Sequence, residues 1–148
     1  MSPASAKSGG AGFCYDPPVL EEDAFERIVE IGTRAHRLGL LVLFGSRARG
    51  DAHAGSDWDL GYIGAATFDP DQMLSQLVAA LGTDRVDVVD LTRAGGLLRF
   101  RAARAGRPLF EAQPNAFAHF WLDAVSFWCD VAPLVERGYD AVLADLPR

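Results

Sequence analysis

Two aspartates one residue apart, Asp57 and Asp59, follow a Gly45-Ser46 pair after the ten residues 47–56. Asp57–Ile63 alternates polar and apolar residues, as a strand does. On such a strand Asp57 and Asp59 leave the same face, about 6.6 Å apart along the backbone. Two carboxylates on one face repel unless a cation lies between them. A hard divalent cation with oxygen ligands, such as Mg²⁺, suits the pair and normally brings phosphate with it. Gly45-Ser46 closes the apolar run Leu40–Phe44. A glycine there lets a backbone N–H approach a phosphate, and the serine hydroxyl can join it. Arg47 and Arg49 add positive charge at the same turn. A phosphate cradle beside a metal site is the minimum machinery of phosphoryl transfer.

Competing motifs fail. The spacing of Gly45 and Gly50 fits a P-loop, but Asp51 follows where lysine is required. Read as a Ca²⁺ loop from Asp57, the twelfth position is Phe68 rather than glutamate. Arg47 and Arg49 also admit a plainer reading as charges solvating a loop, and His53, between the two halves of the motif, reads as a loop histidine.

The elements that must position these residues follow from periodicity. Phe25, Ile28, Val29, Ala35 and Leu38 recur near the helical period, so a helix is expected over Glu21–Leu38, with acids at its start and Gly39 as its stop. Leu40–Phe44 reads as a buried strand. Arg47–Ser56 reads as a loop or one irregular helical turn, and Asp57–Ile63 as the second strand, with Trp58 turned into the core. Asp69 caps and Pro70 opens a helix whose buried stripe is Met73, Leu74, Leu77, Val78 and Leu81, ending at Gly82. Arg85–Leu91 is a third strand. Thr92 is expected to cap a helix through about Ala105, and Arg107–Glu111 is a fourth strand. Asn115–Gly138 is a long aromatic helix, expected to break near Pro133. Strands alternating with helices give an α/β fold, a mixed sheet of about four strands with flanking helices.

With these elements in place, Gly45-Ser46, ten residues, then Asp57-Trp58-Asp59 resembles the signature of the minimal nucleotidyltransferases (MNT proteins) of the DNA polymerase β-like superfamily. The resemblance runs over roughly Leu20–Glu111. It implies a third acid on a later strand, and Val86–Leu91 looks like that strand, with Asp87 in the family position. Asp90 is the competing choice, on the opposite face of the strand. The resemblance further implies that Asp57, Asp59 and Asp87 bind metal and catalyse, and that Gly45, Ser46, Arg47 and Arg49 hold the phosphates of ATP. Stand-alone MNT proteins are typically antitoxins encoded beside a HEPN ribonuclease toxin, to which they transfer AMP on a tyrosine hydroxyl. The implied partners are therefore ATP, Mg²⁺ and a HEPN-domain toxin. A non-catalytic antitoxin acting by contact, or a transferase for a small molecule of the aminoglycoside type, are the other readings.

Composition sets the bounds. With 148 residues, a single domain over 20–148 is expected, preceded by a disordered tail at 1–19 rich in Ser, Ala and Gly. Asp+Glu outnumber Lys+Arg 20 to 14, for a net charge of −6, which argues against direct nucleic-acid binding. No apolar run reaches the ~18 residues of a membrane span. Cys14 and Cys129 form no metal or redox motif, and reduced thiols in the cytoplasm are expected. Two segments stay open. Arg93–Arg107 carries five arginines and no acid, suiting a solvated helix face, an acidic partner or a triphosphate. The aromatic residues from Phe117 to Trp128 exceed what one buried stripe needs, suiting either core or interface.

Overall fold

The structure, a computed structural model, describes residues 21–145. The expected tail at 1–19, Cys14 included, lies outside the described residues. Element order is α1 (Glu21–Arg34), β1 (Leu38–Phe44), α2 (Gly45–Arg49), β2 (Trp58–Gly64), α3 (Pro70–Leu81), β3 (Val86–Asp90), α4 (Gly96–Ala105), β4 (Arg107–Glu111) and α5 (Ala116–Ala144). The expected α/β architecture is present: one mixed sheet in the order β3-β2-β1-β4. β1 runs antiparallel to both β2 and β4, and β2 and β3 are parallel, joined through α3.

Strand alternation splits the core into two layers. Leu41 and Leu43 of β1, Trp58 and Leu60 of β2 and Val86 of β3 pack with Ala24 and Ile28 of α1 and Met73, Leu77 and Leu81 of α3. Leu40, Val42 and Phe44 turn to the other face and meet Ala102 and Ala103 of α4 and Phe120 and Ala124 of α5. β1 is thus buried on both sides, which explains its unbroken apolar sequence. α3 matches its expected ends: Asp69 accepts from the Gln72 N–H at 3.0 Å, and Gly82 stops it at φ 66°.

Four local expectations are corrected. α1 ends at Arg34 rather than Leu38; the chain turns through Arg37 at φ 70°, which frees Leu38 and Gly39 to join β1. β2 begins at Trp58, so Asp57 lies just before the strand rather than within it. Thr92 does not cap α4. Its N–H and hydroxyl both donate to Asp90 Oδ1, at 2.9 and 2.6 Å, holding a turn, and the helix starts after Gly95. α5 runs unbroken through Pro133 for 29 residues, about 44 Å. Proline lacks one helical N–H donor, and at this exposed position that loss does not end the helix.

Candidate active site

The site lies where β1 hands the chain to α2. Phe44 ends the strand in extended conformation, and Gly45 at φ 72° reverses the direction into a single helical turn. A side chain is doubly excluded at 45. The left-handed φ disfavours one, and a Cβ built there would overlap Asp59 Oδ2 and approach Asp59 Cγ to 3.1 Å. The close backbone approach expected of this glycine is therefore made to the acid of the neighbouring strand. Gly50, at φ 82°, ends the turn, and its N–H and that of Asp51 both donate to the Ser46 carbonyl.

Asp59 sits opposite Phe44 on one side and beside Asp87 on the other, in register across the parallel β2–β3 pair. Residues in register on parallel strands leave the same face. This face also carries Phe44 and is the one covered by α4 and α5. Burial raises the pKa of Asp59 first, then the negative charges of Asp87 and Asp57 raise it further, and Arg49 opposes them. Asp59 therefore feels the charge of both Asp57 and Asp87. Asp90, by contrast, pairs with Tyr62, and it accepts from Thr92 and faces Arg93 at 3.7 Å. The register thus sets Asp87 beside Asp59, and Asp90 in a turn contact.

The acids suit a hard cation in donor chemistry. Among the described residues no three His, Cys, Asp or Glu side chains form a ready-made cage. Mg²⁺ does not need one, because it usually takes one or two carboxylates and completes its shell with water and substrate phosphate. Mutually repelling carboxylates around Asp59 fit that pattern.

The two arginines of the turn part ways. Arg47 turns to the other side of the sheet: its Nε and Nη2 donate to the Ser56 carbonyl at 3.2 and 2.7 Å, and its guanidinium lies 4.1 Å over the Trp58 ring. Glu21 approaches it at 3.5 Å. Its side chain is nearly buried in these contacts and does not face the acids; it fixes the loop that delivers Asp57. Arg49 stays on the acid side, 3.3 Å from Asp51. His53 is a loop histidine, with Nδ1 accepting from the Gly55 N–H at 3.1 Å.

Two hollows meet at Ser46 and Asp59. The larger, about 850 Å³, lies between α2 and α4 and adds Gly45, Arg49, Leu97, Phe100, Arg101 and Arg104. The smaller, about 490 Å³, adds Asp51, His53, Ser56, Asp57 and Arg85. Sequence reading did not assign Leu97, Phe100, Arg101 and Arg104 to the site. Their signal was the acid-free arginine segment, but nothing in its spacing said which arginines reach the cleft. Arg93 faces Asp90, Arg99 lies over the Phe120 ring at 5.8 Å, and Arg107 over Phe25 at 4.9 Å.

The chain is similar to known proteins in sequence and in fold. A protein adenylyltransferase MntA of Aphanizomenon flos-aquae is 31% identical over 101 residues, 60% of this chain and 67% of the relative. A protein adenylyltransferase MntA of Shewanella oneidensis is 35% identical over 82 residues, 53% of this chain and 58% of that relative's length. Among solved structures, one described as a toxin–antitoxin with AMP-PNP superposes with a TM-score of 0.67 at 26% identity, covering 84% of this chain and 99% of that one. The family described as "Polymerase beta, Nucleotidyltransferase" matches residues 26–115, and the chain belongs to that family.

Proposed function

We propose that this protein is the MNT antitoxin of a HEPN/MNT pair, a Mg²⁺-dependent adenylyltransferase that moves AMP from ATP to a tyrosine hydroxyl of its toxin in the cytoplasm. The observation that carries the reading is the register of Asp59 with Asp87, with Gly45 closed against Asp59. It sets Asp59 against both the Gly45-Ser46 turn and Asp87, and of the two hollows that meet at Ser46 and Asp59 the smaller also takes in Asp57. The names of the relatives, both adenylyltransferases, support the same reaction for this chain. No helix of the described residues is long and apolar enough to cross a membrane.

Asp57 and Asp59 would hold Mg²⁺, with Asp87 completing the set; when bound, the ion neutralises phosphate oxygens and assists ionisation of the acceptor. Gly45 and Ser46 border the cleft where the phosphates lie, and Arg49 brings positive charge to the departing pyrophosphate. The acceptor oxygen attacks the α-phosphorus, the bond to the bridging oxygen of the β-phosphate breaks, and pyrophosphate leaves with that electron pair. A tyrosine hydroxyl has a pKa of about 10 and needs a base at neutral pH. Asp87, the exposed acid of the Asp59–Asp87 pair, takes the proton. Because two hollows share Ser46 and Asp59, nucleotide and acceptor can reach the acids from different sides.

A contribution from contact is favoured by α5, whose Trp121, Leu122, Phe127, Leu134, Tyr139 and Leu143 are exposed. Co-expression with the HEPN partner followed by mass spectrometry tests the proposal. The expected result is one or more AMP adducts on tyrosine. An unmodified toxin in a tight complex with the wild-type chain would overturn transfer and leave neutralisation by contact.

A further inference from the structure

The cleft wall opposite Gly45-Ser46 is α4, and its two cleft-facing arginines have no function assigned by the acids or the turn. Arg101 and Arg104 are three apart, hence on one helix face, and both line the 850 Å³ cleft with Asp59. The other face carries Ala102 and Ala103, buried against the sheet, whose small side chains let α4 pack closely. Among the described residues, neither arginine makes an ion pair or a side-chain hydrogen bond, whereas Arg49 is engaged with Asp51. Like charges three residues apart are unfavourable on a bare helix, and an anion between them reverses the sign. The segment Arg93–Arg107 holds no acid that could serve, in a chain of net charge −6.

We infer that Arg101 and Arg104 bind the β- and γ-phosphates of the nucleoside triphosphate from the α4 side, completing a clamp whose other jaw is Gly45, Ser46 and Arg49. The inference rests on the nucleotidyl-transfer reading above and names the residues that set triphosphate against monophosphate. The guanidinium suits this task, since it stays charged and binds phosphate oxygens in pairs. Leu97 and Phe100, four residues and one residue before Arg101 on the same helix, give the cleft an apolar stretch beside the charged one. That division fits a nucleotide, with its flat base and charged tail, better than an acidic peptide.

Calorimetric titration of the full chain with Mg²⁺ and either AMP-PNP or AMP separates the possibilities. Arg101→Gln/Arg104→Gln should weaken AMP-PNP binding by about 100-fold, roughly tenfold per charge-assisted contact, and AMP binding by less than about threefold. Arg93→Gln, whose guanidinium faces Asp90 and lines neither hollow at Asp59, should leave both affinities unchanged. Circular dichroism checks that the variants fold, as exposed positions on α4 allow. Unchanged AMP-PNP affinity in the double variant would overturn the clamp, and a simultaneous loss of toxin binding would reassign the pair to an acidic partner surface. Equal weakening of AMP and AMP-PNP would also overturn it, because the contact would then not be to the outer phosphates. Failure of the wild-type chain to bind either nucleotide would instead strike the nucleotidyl-transfer reading itself.

Discussion

The Asp59 carboxylate occupies the space in which a side chain at residue 45 would stand, with Asp59 Cγ 3.1 Å from where that Cβ would be. Gly45 opens α2 and Asp59 lies near the start of β2, so this contact ties the Gly45-Ser46 turn to the acid cluster. Gly45→Val should therefore fail twice. The left-handed φ of 72° costs a β-branched residue about 1–3 kcal/mol, and Asp59 must move. Thermal denaturation should show a marked loss of stability together with loss of ATP binding. Gly50→Ala provides the comparison: its φ is 82° but nothing lies within 4 Å of the new Cβ, so only a backbone cost near 1 kcal/mol is expected. Equal stability of Gly45→Val and wild type would contradict the close packing described.

Asp57→Asn/Asp59→Asn should abolish transfer without unfolding the protein. Loss of the metal-binding charge removes several kcal/mol of transition-state stabilisation, a fall of at least about 100-fold. Labelled ATP with the toxin as acceptor reads this out. A folded double variant with undiminished labelling would remove these acids from the mechanism.

The pKa of Asp59 is raised by burial and by its acidic neighbours, which gives stability a definite pH dependence. A carboxyl that binds its proton more tightly folded than unfolded destabilises the fold when ionised, and the penalty fades as pH falls through the raised pKa. With chelator present at pH 7, Asp59→Asn should melt a few degrees above wild type, and the gap should close on acidification toward pH 4. A variant less stable than wild type at pH 7 would contradict the burial and acidic crowding that raise the pKa of Asp59.

Asp87 and Asp90 should separate cleanly. Asp87→Ala should lose transfer to the toxin and retain ATP binding, because the residue stands beside Asp59. Asp90→Ala should retain transfer and lose about 1 kcal/mol of stability with the Thr92 bonds. Mass spectrometry of the toxin and a melting curve measure the two effects, and the reverse pattern would place the third acid at Asp90.

Arg47 acts through its loop. Arg47→Met removes the two bonds to the Ser56 carbonyl and the packing over Trp58, with an expected loss of about 1–3 kcal/mol. Lysine should not restore it, since the bidentate and stacked geometry needs a planar guanidinium. Urea denaturation compares the three proteins, and full recovery with lysine would show that charge alone matters.

The sequence by itself determined the element types, the two-residue spacing of Asp57 and Asp59 and the glycine at the end of β1, because these depend on local backbone geometry and on a period of two or 3.6. It also carried enough of the family's motif to name the family. What it could not determine was partnership between distant residues. Arg47 and Arg49 differ by two positions on one short turn, yet one is drawn to the Ser56 carbonyl and the Trp58 face while the other stays beside Asp59. Of the five arginines in Arg93–Arg107, two border the cleft and the others meet Asp90, Phe120 and Phe25. Asp87 gained its place next to Asp59 from the parallel register of β2 with β3, which depends on how α3 returns the chain to the sheet. Long side chains are sorted by whichever carbonyl, ring or carboxylate the tertiary fold brings within a few ångströms, and that sorting leaves no period in the sequence.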